Sequence, residues 1–285
     1  MQGANRVGSF CGMNISRRRF LAGIGATGFA IAGDAFGFEA HRVLVTRHDV
    51  SIPGLPSGLD GVRLAQVSDV HFPGNRTAAR AALEHLDQER PDIVLLTGDM
   101  TESPDAMPQV RSFAGDARGR LATVALLGNW EHRVGAVGQL ARDTYRSAGV
   151  DLLVNSALNV DVGGAQLTLV GLDDPLNGTP DLQAARTTIV PGSTEIWLVH
   201  APGYLEQPPA TSARPALLLA GHTHGGQIRI PLLPPVKPPG AGRFVEGWYH
   251  DTFAPLYVSR GVGTTGIPAR FLCPAELPIF TLRSA

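Results

Sequence analysis

Seven side chains able to bind hard or borderline metal ions follow apolar runs directly. They are Asp69 and His71 in "SDVH", Asp99 in "TGDMTE", Asn129 in "LGNWEH", His200 in "LVHAP", and His222 with His224 in "GHTH". Carboxylate, amide and imidazole donors together suit Mn, Fe or Zn rather than a thiolate-bound structural metal. Seven donors are too many for one tetrahedral ion and about right for two, and an ionised Asp can bridge a pair because its two oxygens offer separate lone pairs. Alone, "SDVH" and "TGD" read more readily as strand-to-loop turns, and "GHTHGG" is the more specific motif. It is the succession of five such motifs, each after an apolar run, that points to metal. His41, His48, His85 and His250 lack that setting and read as surface or hydrogen-bonded histidines.

Positioning such a set requires strands whose carboxyl ends converge. "GVRLAQVSDVH", "DIVLLTGD" and "LATVALLGN" read as buried strands ending in polar tips, with "RTAARAALEHLDQER" helical between the first two and stopped by Pro91. Further amphipathic segments lie around Val110 to Ala117 and Val137 to Ala148, and this alternation argues for parallel crossover units. In a parallel sheet, ligands collect outside the strand carboxyl ends. The second half is richer in strands, with a hairpin signal at Gly163 and Gly164, a helical patch at Leu182 to Arg186, and strands in "EIWLVHAP", "ALLLAGHTH", "APLYVSRGVGTTG" and "LPIFTLR". An alternating strand in "HRVLVTRHDVSIPGL" opens the fold. In D-x-H and H-x-H, alternate residues share a face where the chain is extended, so both side chains of a pair reach one site. Gly98, Gly128 and Gly221 let the backbone leave the sheet tightly and keep bulk away from it.

With 285 residues and 44% hydrophobic content the chain buries a substantial core. Twenty-four basic against 25 acidic residues give a net charge of −1, so there is no nucleic-acid footprint in the global charge. Lys237 is the only lysine, and Cys11 and Cys273 are the only cysteines, which excludes a disulfide framework and a cysteine metal site. Near the start, "ISRRRFLAGIGATGFAIAGDA" has the basic region, modest apolar run and small-residue end of a twin-arginine export signal. Residues 1–35 are therefore expected to be a signal segment recognised by the twin-arginine translocase, with one domain over 36–285. The location expected is the periplasm or cell envelope. An uncleaved segment would tether the chain to the membrane surface.

The order D-x-H, G-D, G-N, H, G-H-x-H resembles that of the calcineurin-like metallophosphoesterase superfamily. "IPGLPSGLDGVRLAQVSDVHF" and "YVSRGVGTTGIPARFLCP" resemble its exported bacterial YkuE/YaeI-type branch. The resemblance covers essentially the whole chain after the signal. It implies an α/β fold, a four-layer α/β/β/α sandwich of two mixed sheets flanked by helices, with two divalent metal ions (Mn, Fe, Zn or a mixture). Asp69, His71, Asp99 and His224 would hold the first ion; Asp99, Asn129, His200 and His222 would hold the second, with Asp99 bridging. The implied activity is hydrolysis of phosphodiester, pyrophosphate or phosphomonoester bonds in a small molecule or lipid, with hydroxide as nucleophile.

One position departs from the family pattern. Its usual G-N-H-[DE] reads Gly128, Asn129, Trp130, Glu131 here, so the histidine assigned to protonate the leaving group is missing. His132 or Glu131 is the candidate replacement; the alternative is protonation by water, with Trp130 packing or stacking. Arg260 and Arg270 in "RGVGTTGIPAR" are candidates for gripping phosphate, since guanidinium forks match its oxygens, and are equally candidates for bracing the loop. The competing function is an exported metal- or phosphate-binding protein with little or no turnover. Hydrolysis of amides is disfavoured by the lack of an H-E-x-x-H motif.

Overall fold

The computed structural model describes residues 33–207, 211 and 213–285. The twin-arginine stretch lies outside the described residues. A helical turn at Asp34–Phe38 is the first described element, and the Ala35 carbonyl accepts a hydrogen bond from Arg270 N (3.0 Å).

Two six-stranded mixed sheets stack face to face. The first contains β1 (Val43–Ile52), β2 (Arg63–Val67), β3 (Ile93–Thr97), β4 (Ala122–Leu126), β5 (Asp151–Leu152) and β12 (Ala275–Ser284), in the order β1-β12-β2-β3-β4-β5. β2 to β5 run parallel, β12 is antiparallel to β2, and β1 lies parallel to β12 over ten paired positions. The second contains β6 (Ser156–Val162), β7 (Ala165–Gly171), β8 (Thr194–Leu198), β9 (Leu217–Ala220), β10 (Gly247–Tyr249) and β11 (Leu256–Val258), in the order β10-β11-β9-β8-β7-β6. Its centre, β7-β8-β9-β11, is parallel. β6 and β7 form the expected hairpin, with Gly163 and Gly164 both at positive φ (62° and 85°), as a two-residue turn matching the strand twist requires.

The apolar runs are continuous because central strands are buried on both faces. On β3, Ile93 and Leu95 face the second sheet while Val94 and Leu96 face the helices. On β9, Leu217 and Leu219 enter the space between the sheets and Leu218 and Ala220 face outward onto Trp197 and Phe244. Over the first sheet pack α1 (Arg76–Glu89), α2 (Met107–Asp116) and α4 (Gly138–Ser147), which follow β2, β3 and β4 as crossovers; the short α3 (Asn129–Arg133) sits directly after β4. Asn75 caps α1 by accepting from Ala78 N, and Arg90 ends it in a left-handed conformation just before Pro91. The outer layer on the second sheet is thin: the single turn α5 (Leu182–Ala185), a 3-10 turn at Pro202–Glu206, and loops. The expected four layers are present, with the fourth reduced to these short pieces.

Candidate metal centre

The first candidate ligand of each motif follows its strand end by two or three positions, and His71 and His224 follow by four; the loops that carry them are zipped together by their backbones. Asp69 N donates to Gly98 O (3.0 Å), His71 N to Asp99 O (3.0 Å) and Phe72 N to Met100 O (2.8 Å). His222 N donates to both Asp69 oxygens, at 3.1 and 3.0 Å. The D-x-H and H-x-H pairs are not extended, contrary to the expectation from strand alternation. Asp69, His71, Asp99, His222 and His224 all have left-handed φ, between 49° and 72°. Each such non-glycine residue costs on the order of 1 kcal/mol, a strain that the surrounding hydrogen bonds and packing must hold in place. The left-handed turns take over what the pleat was expected to do, since they turn both members of each pair toward one space.

Three glycines make that approach sterically possible. A Cβ on Gly128 would lie 2.3 Å from Asp99 Oδ1, one on Gly221 would lie 1.9 Å from Ser68 Oγ, and one on Gly98 would lie 2.7 Å from His200 Nδ1. Gly98 also needs its left-handed φ of 90°.

The side chains fall into two buried triads, Asp69 with His71 and His224, and Asp99 with His200 and His222. In the first, His71 Nε2 is 2.9 Å from His224 Nε2, and Asp69 Oδ1 lies 3.5 Å from His224 Nε2. In the second, His200 Nε2 is 3.1 Å from Asp99 Oδ2, and that same oxygen is 3.8 Å from His71 Nε2. Asp99 therefore stands between the triads, its other oxygen accepting from Trp130 N at 2.8 Å. Asn129 opens α3 on the same cleft.

The outer nitrogens of three imidazoles are anchored. His200 Nδ1–H donates to Thr97 O (2.8 Å), His222 Nε2–H donates to Pro239 O (2.7 Å), and His71 Nδ1 lies 2.9 Å from Glu102 Oε1. Such anchoring fixes the ring and aims the opposite nitrogen inward. Among those inward atoms, His222 Nδ1 is buried without a hydrogen-bond partner, as is Asn129 Oδ1, and His200 Nε2 meets only the Asp99 carboxylate at 3.1 Å. Orphaned buried donors of this kind are costly unless something binds them. This donor set, nitrogen and oxygen without thiolate, fits divalent transition metals.

The electrostatics are those of a cation site. Burial opposes ionisation of Asp69, but His224, His71 and His200 beside it hold its pKa well below the carboxylate range. Burial likewise opposes charge on Asp99, and His200 and His71 keep it low. Burial also works against charge on His71 and His200, yet the carboxylates around them push these imidazoles up to about 9 and about 10. His224 is pushed down to about 3 by burial, with His71 and Arg270 adding positive charge nearby.

The remaining candidates stand elsewhere. Glu131 is buried and accepts four backbone N–H groups: Gly128 (2.8 Å), Asp99 (3.0 Å), Met100 (2.6 Å) and Thr101 (3.0 Å). Its oxygens bind the loop that carries Asp99 and present no proton to the cleft, which corrects its reading as a replacement acid. His132 turns away toward Asp173, with Nε2 2.7 Å from Oδ1, and does not line the cleft. Arg270 is fully buried and donates to the carbonyls of Gly263, Cys273, Arg260 and Gly261. Arg260 pairs with Glu276 Oε2 (2.8 Å). Both arginines brace the 259–273 loop, because unpaired backbone carbonyls and buried Glu276 claim their donors; neither reaches the cleft.

That cleft, of about 570 Å³, runs from Asp99, Asn129, His222 and His224 outward past Trp130, Arg133, Asn177, Gln227 and Lys237. Trp130 stands edge-on to His71, with ring centroids 6.1 Å apart, and the Arg133 guanidinium lies over the Trp130 ring at 4.9 Å. Glu102, Arg133 and Lys237 were not singled out as site residues from the sequence. Glu102 follows Asp99 by three positions in "TGDMTE", and Lys237 is the lone lysine in a Pro-rich loop; these were the available signals.

Residues 62–230 match the family model described as "Calcineurin-like phosphoesterase superfamily domain". The "Uncharacterized metallophosphoesterase YkuE" of Bacillus subtilis (strain 168) is 30% identical over 289 residues, covering 95% of this chain and 98% of that protein. The "Phosphodiesterase YaeI" of Escherichia coli (strain K12) is 30% identical over 284 residues, covering 94% and 99%. Among solved structures, the NAD nucleotidase NadN of Haemophilus influenzae aligns with a TM-score of 0.45 at 15% identity, over 71% of this chain and 45% of that one. With two triads of metal-binding side chains at its strand ends and relatives matching along nearly its full length, the chain belongs to the calcineurin-like phosphoesterase superfamily.

Proposed function

We propose that the chain hydrolyses phosphodiester or pyrophosphate bonds at a dinuclear centre and acts outside the cytoplasm. The observation that supports this best is the pair of buried ligand atoms, His222 Nδ1 and Asn129 Oδ1, that lack partners and line one cleft with Asp99. Asp69, His71, Asp99 and His224 would hold one ion; Asp99, Asn129, His200 and His222 would hold the other. Such ions, as Mn, Fe, Zn or a mixture, supply charge against phosphoryl oxygens and lower the pKa of an attacking water.

The chain's own residues then orient and select. Arg133 and Lys237 lie exposed on the cleft wall, and among the described residues neither has a carboxylate within ion-pair reach. They are suited to receive the phosphate or the leaving-group side of a substrate. Trp130 occupies the position of the family's acid and has no proton to give to a departing oxygen. Substrates whose leaving group is stable as an anion tolerate this best, which favours aryl or anhydride-like phosphates over alkyl monoesters. The twin-arginine stretch supports export by the translocase.

Trp130 also supports a second reading, an exported metal- or phosphate-binding protein with little turnover. A generic aryl phosphodiester offered to metal-loaded protein separates the two. Sustained release of the phenol supports the hydrolase; bound ions and bound phosphate without release support the binding protein.

A further inference from the structure

Among the described residues, eleven large apolar side chains are exposed, and eight of them sit on three segments that are tied together. Phe36 and Phe38 lie on the first helical turn, Ile230, Leu232, Leu233 and Val236 on the Pro-rich loop, and Ile267 and Leu272 on the 265–272 segment. Gln227 Nε2 donates to Ile267 O (2.8 Å) and Arg229 N donates to Phe271 O (2.9 Å), which joins the Pro-rich loop to the third segment. Arg270 N donates to Ala35 O (3.0 Å) and Leu272 N to Glu39 Oε2 (3.0 Å), which joins the third segment to the first. Scattered exposed leucines need no explanation, whereas a gathered apolar rim does.

We propose that this rim docks on an anionic lipid surface, with the cleft opening beside it. Two of its leucines are held in solvent by unfavourable backbone: Leu232 (103% exposed, φ 70°) and Leu272 (52% exposed, φ 52°) are both left-handed, where glycine or asparagine is usual. A turn needing only solubility has no use for leucine there. Charge fits the same occupant. Lys237 on the Pro-rich loop and Arg42, stacked on Phe38 at 5.7 Å, have no carboxylate within ion-pair reach among the described residues. Arg229 is already paired with Glu246, and Asp34 is the exposed carboxylate on the first turn. The sequence just upstream of the first turn, which carries Phe36 and Phe38, is "FLAGIGATGFAIA" preceded by three arginines. Apolar side chains flanked by basic groups are what the headgroup boundary accepts.

No helix among the described residues is long and apolar enough to cross a membrane, and the contact proposed for the rim is a peripheral one. Val236 and Lys237 belong both to the rim and to the cleft wall, so docking would bring the cleft to the headgroups. The inference adds to the hydrolase reading without depending on it, because binding is measured without turnover.

The test uses the full chain and vesicles of equal parts phosphatidylcholine and phosphatidylglycerol, read by co-sedimentation. Combining Ile230→Ser, Leu232→Asn and Leu233→Ser should weaken binding roughly tenfold or more, while Leu121→Ser with Leu140→Ser should leave it unchanged. The triple variant should keep its melting temperature and any turnover of a soluble aryl phosphodiester, since none of the three residues lines the cleft. Wild-type protein that ignores the vesicles would overturn the proposal. So would a triple variant that binds as well as wild type, which would assign binding to the upstream apolar tract. A wild-type dimer in solution that the triple variant abolishes would make the rim a contact between copies, and would also overturn it.

Discussion

The imidazoles of His71 and His224 meet Nε2 to Nε2 at 2.9 Å, both buried. A proton carried by His71 and accepted by His224, or a single ion held by both, accounts for that distance, since neighbouring nitrogens about one ion, each at ~2.1 Å, take a similar spacing. Divalent metal should therefore stabilise the fold. At a hundredfold excess over its dissociation constant, binding to the folded state alone contributes about 2.7 kcal/mol. We expect Mn or Zn added to chelator-treated protein to raise the thermal midpoint, and His224→Ala to lose a large part of that rise. Scanning calorimetry with and without metal reads this directly, and an equal rise in both proteins would argue against the first triad.

Glu131 gathers four backbone N–H groups and so holds the left-handed turn at Asp99 in shape. Glu131→Gln keeps the volume but sets an NH₂ group against the N–H groups of one pair. We expect a loss of about 2 to 4 kcal/mol in urea unfolding, accompanied by weaker metal retention. A variant as stable as wild type would show that the carboxylate does not support the loop.

His132 and Asp173 form a largely buried pair that contributes to stability in a defined pH window. The hydrogen bond to Asp173 raises the His132 pKa; burial works against the Asp173 carboxylate, but His132 keeps it low. The histidine's contribution is complete below its ordinary value of 6.5 and is lost as pH rises through the raised folded value. The aspartate's is complete above 3.8 and is lost as pH falls through its lowered folded value. His132→Ala should therefore cost most between about pH 3.8 and 6.5, on the order of 1 kcal/mol after solvent screening, and progressively less in alkali. Melting curves across pH test this. A cost that stays flat into alkali would contradict it.

In the proposed hydrolase, Trp130 would supply no proton to the departing oxygen. The rate should depend steeply on leaving-group pKa, and Trp130→His should flatten that dependence, since general acid catalysis is typically worth about 10²- to 10⁴-fold. His132→Ala should barely alter the slope, because that ring faces Asp173 rather than the cleft. A series of aryl and alkyl phosphodiesters supplies the slope. If His132→Ala changes it while the metals stay bound, the acid reaches the cleft by a route the geometry does not show.

The sequence announces the positions of the candidate ligands better than it announces the backbone that aims them. Apolar runs such as "DIVLLTGD" and "ALLLAGHTH" revealed both the strands and the polar tips, because a strand buried on both faces leaves no other place for a charged residue than its end. The left-handed turns at Asp69, His71, His222 and His224 were not legible: positive φ in a non-glycine residue is imposed by tertiary hydrogen bonds such as His222 N to Asp69. Glu102 was hidden for the same reason, since it reaches His71 only once two loops are zipped together. Arg260 and Arg270 resemble phosphate forks in one dimension; in three, Glu276 and four loop carbonyls absorb them. The parallel pairing of β1 with β12 joins the two ends of the described chain, a contact that no local pattern specifies.

Asp99 lies between the triads, with Oδ2 at 3.1 Å from His200 Nε2 and 3.8 Å from His71 Nε2, and elemental analysis of this position tests the dinuclear reading most directly. Metal content and aryl phosphodiester turnover should be measured on the same preparations of wild type and Asp99→Ala, with circular dichroism confirming the fold. We expect two ions per chain with turnover in wild type, and the loss of both ions and of activity in Asp99→Ala. An Asp99→Ala protein that retains two ions and near-normal turnover would contradict the shared role of this carboxylate and the centre built around it.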